Sequence, residues 1–175
     1  MDVETPTYKH SELVTIINLI TIVAKSALSA KSIETKLVDG EQKEELAKYM
    51  NQLAEELRDP SYKAEIEDVR LADVVMLVGL KDGGEIAKMN CGACGFPTCE
   101  DMLKNRREGL LFPGPTCIIR ALDLGATVDY ITKLCISLGI KAKASLKVGV
   151  AAKRLGYFKC DVIVGALLTT KKSRT

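Results

Sequence analysis

The chain has 175 residues, 47% hydrophobic and 27% charged, and its 25 basic and 23 acidic side chains leave a net charge of +2. That length supports one domain with a real core, and the near-balance of charge excludes a protein that binds nucleic acid by neutralising its backbone. Tryptophan is absent and aromatics make up 5%, which removes the stacking platforms of a single-strand binder.

Residues 1–10 are polar and include acidic side chains, unlike a basic leader followed by an apolar stretch, so the expectation is a cytoplasmic protein. Residues 13–24 form the most apolar run, interrupted by Thr15, Asn18 and Thr21. It is too short to span a bilayer and reads as a buried core helix from Ser11, a candidate N-cap, to about Ala30. Residues 34–38 suggest a short strand. Asp39 followed by Gln42 resembles a capping box for a helix whose buried face is Leu46, Ala47, Met50, Leu53, Ala54 and Leu57. Pro60 ends that pattern, and residues 63–71 predict a short helix. The run Val74-Val-Met-Leu-Val-Gly-Leu80 has no alternation, as in a strand buried on both faces. Residues 81–88 read as a loop into a cysteine-rich segment. Beyond it, residues 118–138 predict a helix ended by Gly139, residues 145–155 another stopped by Gly156, and residues 160–168 a final strand before a basic tail at 171–175. The expectation is a layered α+β or α/β single domain, residues 1–175, with the cysteine segment inserted at a strand end.

Four of the six cysteines, Cys91, Cys94, Cys99 and Cys117, follow the spacing C-x2-C-x4-C-x17-C. In a chain without secretory features such a nest points to metal rather than disulfides. Soft thiolates suit iron–sulfur and zinc alike. Structural zinc sites usually pair two short knuckles, whereas three ligands in nine residues and a distant fourth fit a cubane cluster. Gly92 and Gly95 allow positive φ, so peptide N–H groups can turn toward cluster sulfurs. Pro97 stiffens the turn, and Thr98-Cys99 can open a short helix reaching Asn105. Lys104, Arg106, Arg107 and Arg120 either balance cluster charge or form an ordinary solvated rim. Zinc and a purely structural cysteine nest stay open on spacing alone.

Cys135, on an apolar helix face, and Cys160, opening the last strand, read as small core residues. His10 is the only histidine and falls in an exposed N-terminal segment, so histidine acid–base catalysis has no candidate. Asp123 and Asp129 lie on adjacent helical faces and can reach a pocket, although surface carboxylates are the default. No catalytic residue emerges.

The stretch Asn90-Cys-Gly-Ala-Cys-Gly-Phe-Pro-Thr-Cys99 with Gly114-Pro-Thr-Cys117 resembles the four-iron ferredoxin-type module of corrinoid iron–sulfur proteins and membrane electron-transport subunits. The wider chain, through residues 117–125, 148–156 and 160–165, is similar to uncharacterised ferredoxin domain-containing proteins of anaerobic bacteria and archaea. The ending after Gly165 departs from that pattern, having Leu167-Leu-Thr-Thr-Lys-Lys where a proline-containing stretch is expected. The resemblance implies a 4Fe–4S cluster on Cys91, Cys94, Cys99 and Cys117, within a module of residues 88–120. A fainter likeness to flavin-binding nitroreductases implies a homodimer with FMN at its interface. Here Lys25, Ser26 and Lys31 stand in the region that would hold the flavin phosphate, with no arginine. The functional expectation is one-electron transfer to a redox protein partner, without nucleic acid or membrane. The alternatives are a flavin-dependent oxidoreductase fed by the cluster, and a non-redox scaffold stapled by iron–sulfur or zinc.

Overall fold

In the computed structural model, which describes residues 8–27, 32–81 and 88–170, the apolar run at 74–80 lies at the centre. The elements in chain order are α1 (His10–Ala27), β1 (Ile33–Val38), α2 (Gly40–Glu56), α3 (Ser61–Leu71), β2 (Val74–Lys81), α4 (Cys99–Lys104), α5 (Ile118–Ser137), β3 (Lys141–Ser145), α6 (Leu146–Arg154) and β4 (Cys160–Thr169). The four strands form one sheet in the order β1-β2-β4-β3, and every neighbouring pair is antiparallel.

Two apolar cores lie on opposite faces of that sheet. Val75 and Leu77 of β2, with Ile163 and Leu167 of β4, pack under α2, α3 and α6. Val74, Met76, Val78 and Leu80, with Ala166 and Leu168, pack under α1 and α5. Both faces of β2 are covered, which is why its sequence does not alternate. The result is a mixed α+β single domain of three layers. Antiparallel pairing throughout decides between the two expected classes.

Close helix–sheet contact depends on two glycines. A Cβ on Gly149 of α6 would stand 1.8 Å from the carbonyl oxygen of Ile163, and one on Gly165 of β4 would stand 2.3 Å from a Val148 methyl. Each strand and helix can approach only because the other carries no side chain there.

Three expectations need correction. Asp39 does occupy the N-cap of α2, but its side chain makes no cap hydrogen bond. Its carboxylate instead pairs with His10 Nε2 at 2.9 Å. α1 begins at His10, so Ser11 lies within the helix rather than capping it, while His10 itself is exposed as expected. The edge strand β3 is absent from the sequence reading, because Lys-Ala-Lys-Ala-Ser is short and has a weak apolar face. Its lysines suit an exposed edge, and Lys143 pairs with Asp68 of α3 at 2.6 Å. The expected helical periodicity of α2 holds, with Leu46, Ala47, Met50, Leu53 and Ala54 all buried. The loop expected at 81–88 lies largely outside the described residues, as does the basic tail.

Register locates the cysteine segment. Leu80 faces Ile33 at the start of β1, and Lys81 faces Cys160 at the start of β4. The segment 88–117 therefore follows the strand end where β2 leaves and β1 and β4 enter, and it leads into α5.

Candidate metal centre

Local chemistry shapes residues 90–105 before any metal is considered. Gly92 and Gly95 have φ of +73° and +88°, and the Gly95 N–H donates to the Gly92 carbonyl at 2.9 Å. Asn90, itself at positive φ, accepts from the Cys99 N–H through Oδ1 at 2.9 Å. The nine residues from Cys91 to Cys99 are thus closed on themselves. Thr98 then caps α4: its hydroxyl accepts from the Asp101 N–H at 3.1 Å and donates to the Asp101 carboxylate at 2.7 Å. Met102, on the inner side of α4, is 2% exposed and anchors the helix.

The spacer between α4 and α5 is similarly tied. Arg107 and Gly114 exchange a pair of backbone hydrogen bonds at 2.7 and 2.9 Å. Arg106 forms an ion pair with Asp161 of β4 at 2.5 Å. Phe112 packs on the core beneath α2, α3 and α6, and Arg154 donates to the Leu110 carbonyl at 3.1 Å. Cys117 is the N-cap residue of α5, and its carbonyl accepts from the Ala121 N–H at 3.0 Å.

The four cysteines differ in exposure. Cys91 is exposed, Cys94 and Cys99 are half-buried, and Cys117 is buried. None of the chain's six cysteines is cross-linked. The structure places Cys91, Cys94 and Cys99 on one tied turn and Cys117 at the head of α5. Among the described residues, it brings no three His, Cys, Asp or Glu side chains into a metal-holding group. The donor chemistry nonetheless fits an iron–sulfur cluster. The acids nearest in sequence are engaged: Glu100 with Lys104 at 2.7 Å and Asp101 with Thr98. That leaves thiols as the soft donors of the segment.

Cys135 and Cys160 lie in opposite cores, as expected of small apolar residues. Burial pushes the Cys135 thiol up to about 11. A Cβ on Gly79 would meet the Cys160 sulfur at 2.6 Å, so Cys160 packs against the bare backbone of β2. Asp123 pairs with Arg120 at 3.0 Å and Asp129 with Lys133 at 2.8 Å. Asp129 also lines an open, mainly apolar groove of about 470 Å³ along α5, with Leu124, Val128, Val162 and Val164. Lys25 lies in the last turn of α1 and Ser26 beside it is exposed, while Lys31 lies outside the described residues.

Asp161 has no signature in the sequence, being a carboxylate in an apolar strand far from the four cysteines of the motif. Asn90 adjoins the first cysteine but has the composition of any turn residue.

The fold and loop together define an α+β protein that carries a capped, cysteine-rich turn between β2 and α5 in the chain. Residues 113–174 match the family model described as an uncharacterised protein containing a ferredoxin domain (DUF2148). An uncharacterised protein of Archaeoglobus fulgidus is 36% identical over 154 residues, covering 85% of this chain and 83% of the relative. The chain belongs to this family of uncharacterised ferredoxin-domain proteins. The matched residues of the family model include Cys117 and begin after the other three cysteines of the motif. A ferredoxin domain implies an iron–sulfur cluster.

Among the described residues, no helix is long and apolar enough to cross a membrane.

Proposed function

We propose that Cys91, Cys94, Cys99 and Cys117 hold a 4Fe–4S cluster in a module of residues 88–120, and that the protein passes single electrons to a redox protein partner. The observation that carries this reading is a turn bearing three of the four thiols, with the fourth at the head of α5. Gly92 and Gly95 adopt positive φ, and Asn90 ties the turn shut at Cys99. When bound, such a cluster supplies a one-electron couple whose potential depends on hydrogen bonds and burial.

The residues divide the work. Cys91 lies toward solvent, where an electron can leave. Cys117 is buried at the start of the 20-residue helix α5, whose N-terminal dipole favours negative charge. Arg120 in the first turn is already paired with Asp123, so it contributes to a near-neutral rim.

The deciding experiment is anaerobic reconstitution with iron and sulfide, followed by iron, sulfide, zinc and flavin analysis of one sample. About four irons and four sulfides per chain are expected, in a brown protein. A colourless protein containing zinc would sink the reading in favour of a metal-stapled scaffold. Cys117→Ser should abolish or convert the cluster, and an unchanged spectrum would remove Cys117 from the ligand set.

A nitroreductase-like dimer carrying FMN has less to stand on. A flavin phosphate needs a basic cradle, and no arginine precedes Arg58 in the chain. Flavin released on heating is the outcome that would restore that reading.

A further inference from the structure

Seventeen residues separate Cys99 from Cys117, enough for a slack loop, yet the connection is short in effect. The paired hydrogen bonds between Arg107 and Gly114 pinch off residues 108–113. What remains between the two cysteines is α4, then Asn105 and Arg106, and, beyond the pinch, Pro115 and Thr116. Arg106 stands immediately beside the pinch. Its guanidinium Nη2 reaches Asp161 Oδ2 at 2.5 Å, with the two side chains only 18% and 11% exposed.

Asp161 is the second residue of β4, next to Cys160, whose side chain packs on Gly79 of β2. Its backbone belongs to β4, at the irregularity where β2 pairs Leu80 with Val162 and Lys81 with Cys160. An ion pair this deep costs much of its Coulomb gain in desolvation, so its value lies in geometry more than in net stability. Replacing either side chain breaks this contact between the pinch and β4.

We propose that Arg106 and Asp161 are positioning residues: their ion pair clamps the pinch to the sheet, and so fixes Cys117 relative to the Cys91–Cys99 turn. The proposal rests on the cluster reading for its purpose, but the clamp itself can be tested without metal. Both act through the backbone that carries Cys117.

The first test uses the full chain, reduced and metal-free, with N-ethylmaleimide labelling of Cys117 and Cys135 followed by mass spectrometry. Cys117 is 8% exposed and Cys135 is 0% exposed, so both react slowly in the intact fold. Asp161→Asn or Arg106→Met should accelerate Cys117 labelling by about tenfold or more, the population change that follows loss of one charge-assisted hydrogen bond. Cys135 should keep its wild-type rate. Equal acceleration at both cysteines indicates general loosening, and acceleration at neither shows no clamp; both results overturn the proposal. Arg106→Lys keeps a positive charge near Asp161 and should label more slowly than Arg106→Met. Equal rates for those two variants would also count against it.

The second test reads the loaded protein. After anaerobic reconstitution, Asp161→Asn should show the electron paramagnetic resonance signature of a three-iron cluster, as expected when the fourth ligand is misplaced. It should also lose iron to a chelator about tenfold faster than wild type. Lys143→Met, which breaks an exposed pair elsewhere, should do neither. A four-iron spectrum with wild-type release in Asp161→Asn overturns the clamp. A wild-type chain that takes up no iron or sulfide removes the cluster reading instead, while the labelling rates still decide whether the pair holds Cys117.

Discussion

Gly149 shows how much one missing methyl can matter. Its α-carbon lies against the backbone of β4, with the Ile163 carbonyl where a Cβ would go. Backbone cannot move aside as a flexible side chain can, so Gly149→Ala should destabilise the fold by about 1–3 kcal/mol or more. Urea unfolding of the variant measures this, and a midpoint equal to wild type would mean that α6 is not seated so closely. Cys135 offers a cleaner titration. Burial lifts its thiol from the ordinary 9.0 to about 11, so the folded state holds the proton more tightly than the unfolded chain. The corresponding stability is complete below pH 9 and disappears as pH rises toward 11, an effect on the order of 2–3 kcal/mol. The difference in unfolding free energy between wild type and Cys135→Ala should therefore shrink across that window. A difference independent of pH would show that the thiol titrates normally.

Among the elements, the junction of β3 and α6 is held from α3. Ser145 caps α6 by accepting from the Val148 N–H at 3.2 Å, and its hydroxyl donates to Glu65. Lys147 meets the same carboxylate at 2.8 Å. Burial alone would raise the Glu65 carboxyl, but hydrogen bonds from Lys147 and Ser145 and the charges of Lys147 and Lys143 hold it below its usual value. A depressed carboxylate stabilises above its unfolded value of about 4.5, and that contribution fades as pH falls below it. Glu65→Gln should thus lower the midpoint of urea unfolding at pH 7 and converge with wild type toward pH 3. Parallel curves over the whole range would exclude this linkage. The same junction shows what periodicity misses. Leu146 to Arg154 announce a helix through their apolar spacing and the Gly156 that follows. The strand before them carries lysines at alternate positions and becomes a strand only by pairing with β4.

Across the molecule, the two cores are built without the cysteine turn. Cys91, Cys94 and Cys99 belong to neither apolar cluster, and Met102 is the buried contact of α4. Chelation of the loaded protein should therefore leave far-ultraviolet dichroism and cooperative melting in place. Changes in amide hydrogen exchange should be confined largely to residues 88–117. Global unfolding on removal of metal would show instead that the cluster nucleates the domain, as zinc does in small metal-dependent folds.

The sequence by itself determined the local features: the apolar face of α2, the doubly buried strand β2, and the short helix opened at Thr98-Cys99. Each depends on neighbours within a few residues, where spacing and side-chain chemistry act directly. Only the tertiary structure decided that all strands pair antiparallel, that Lys141–Ser145 is an edge strand, and that Asp39 turns to His10 rather than to its own helix. It alone joined Arg106 to Asp161, and so tied the last cysteine of the motif to the sheet. Those choices depend on contacts between residues remote in sequence, and no periodicity encodes which distant charge a buried carboxylate will meet.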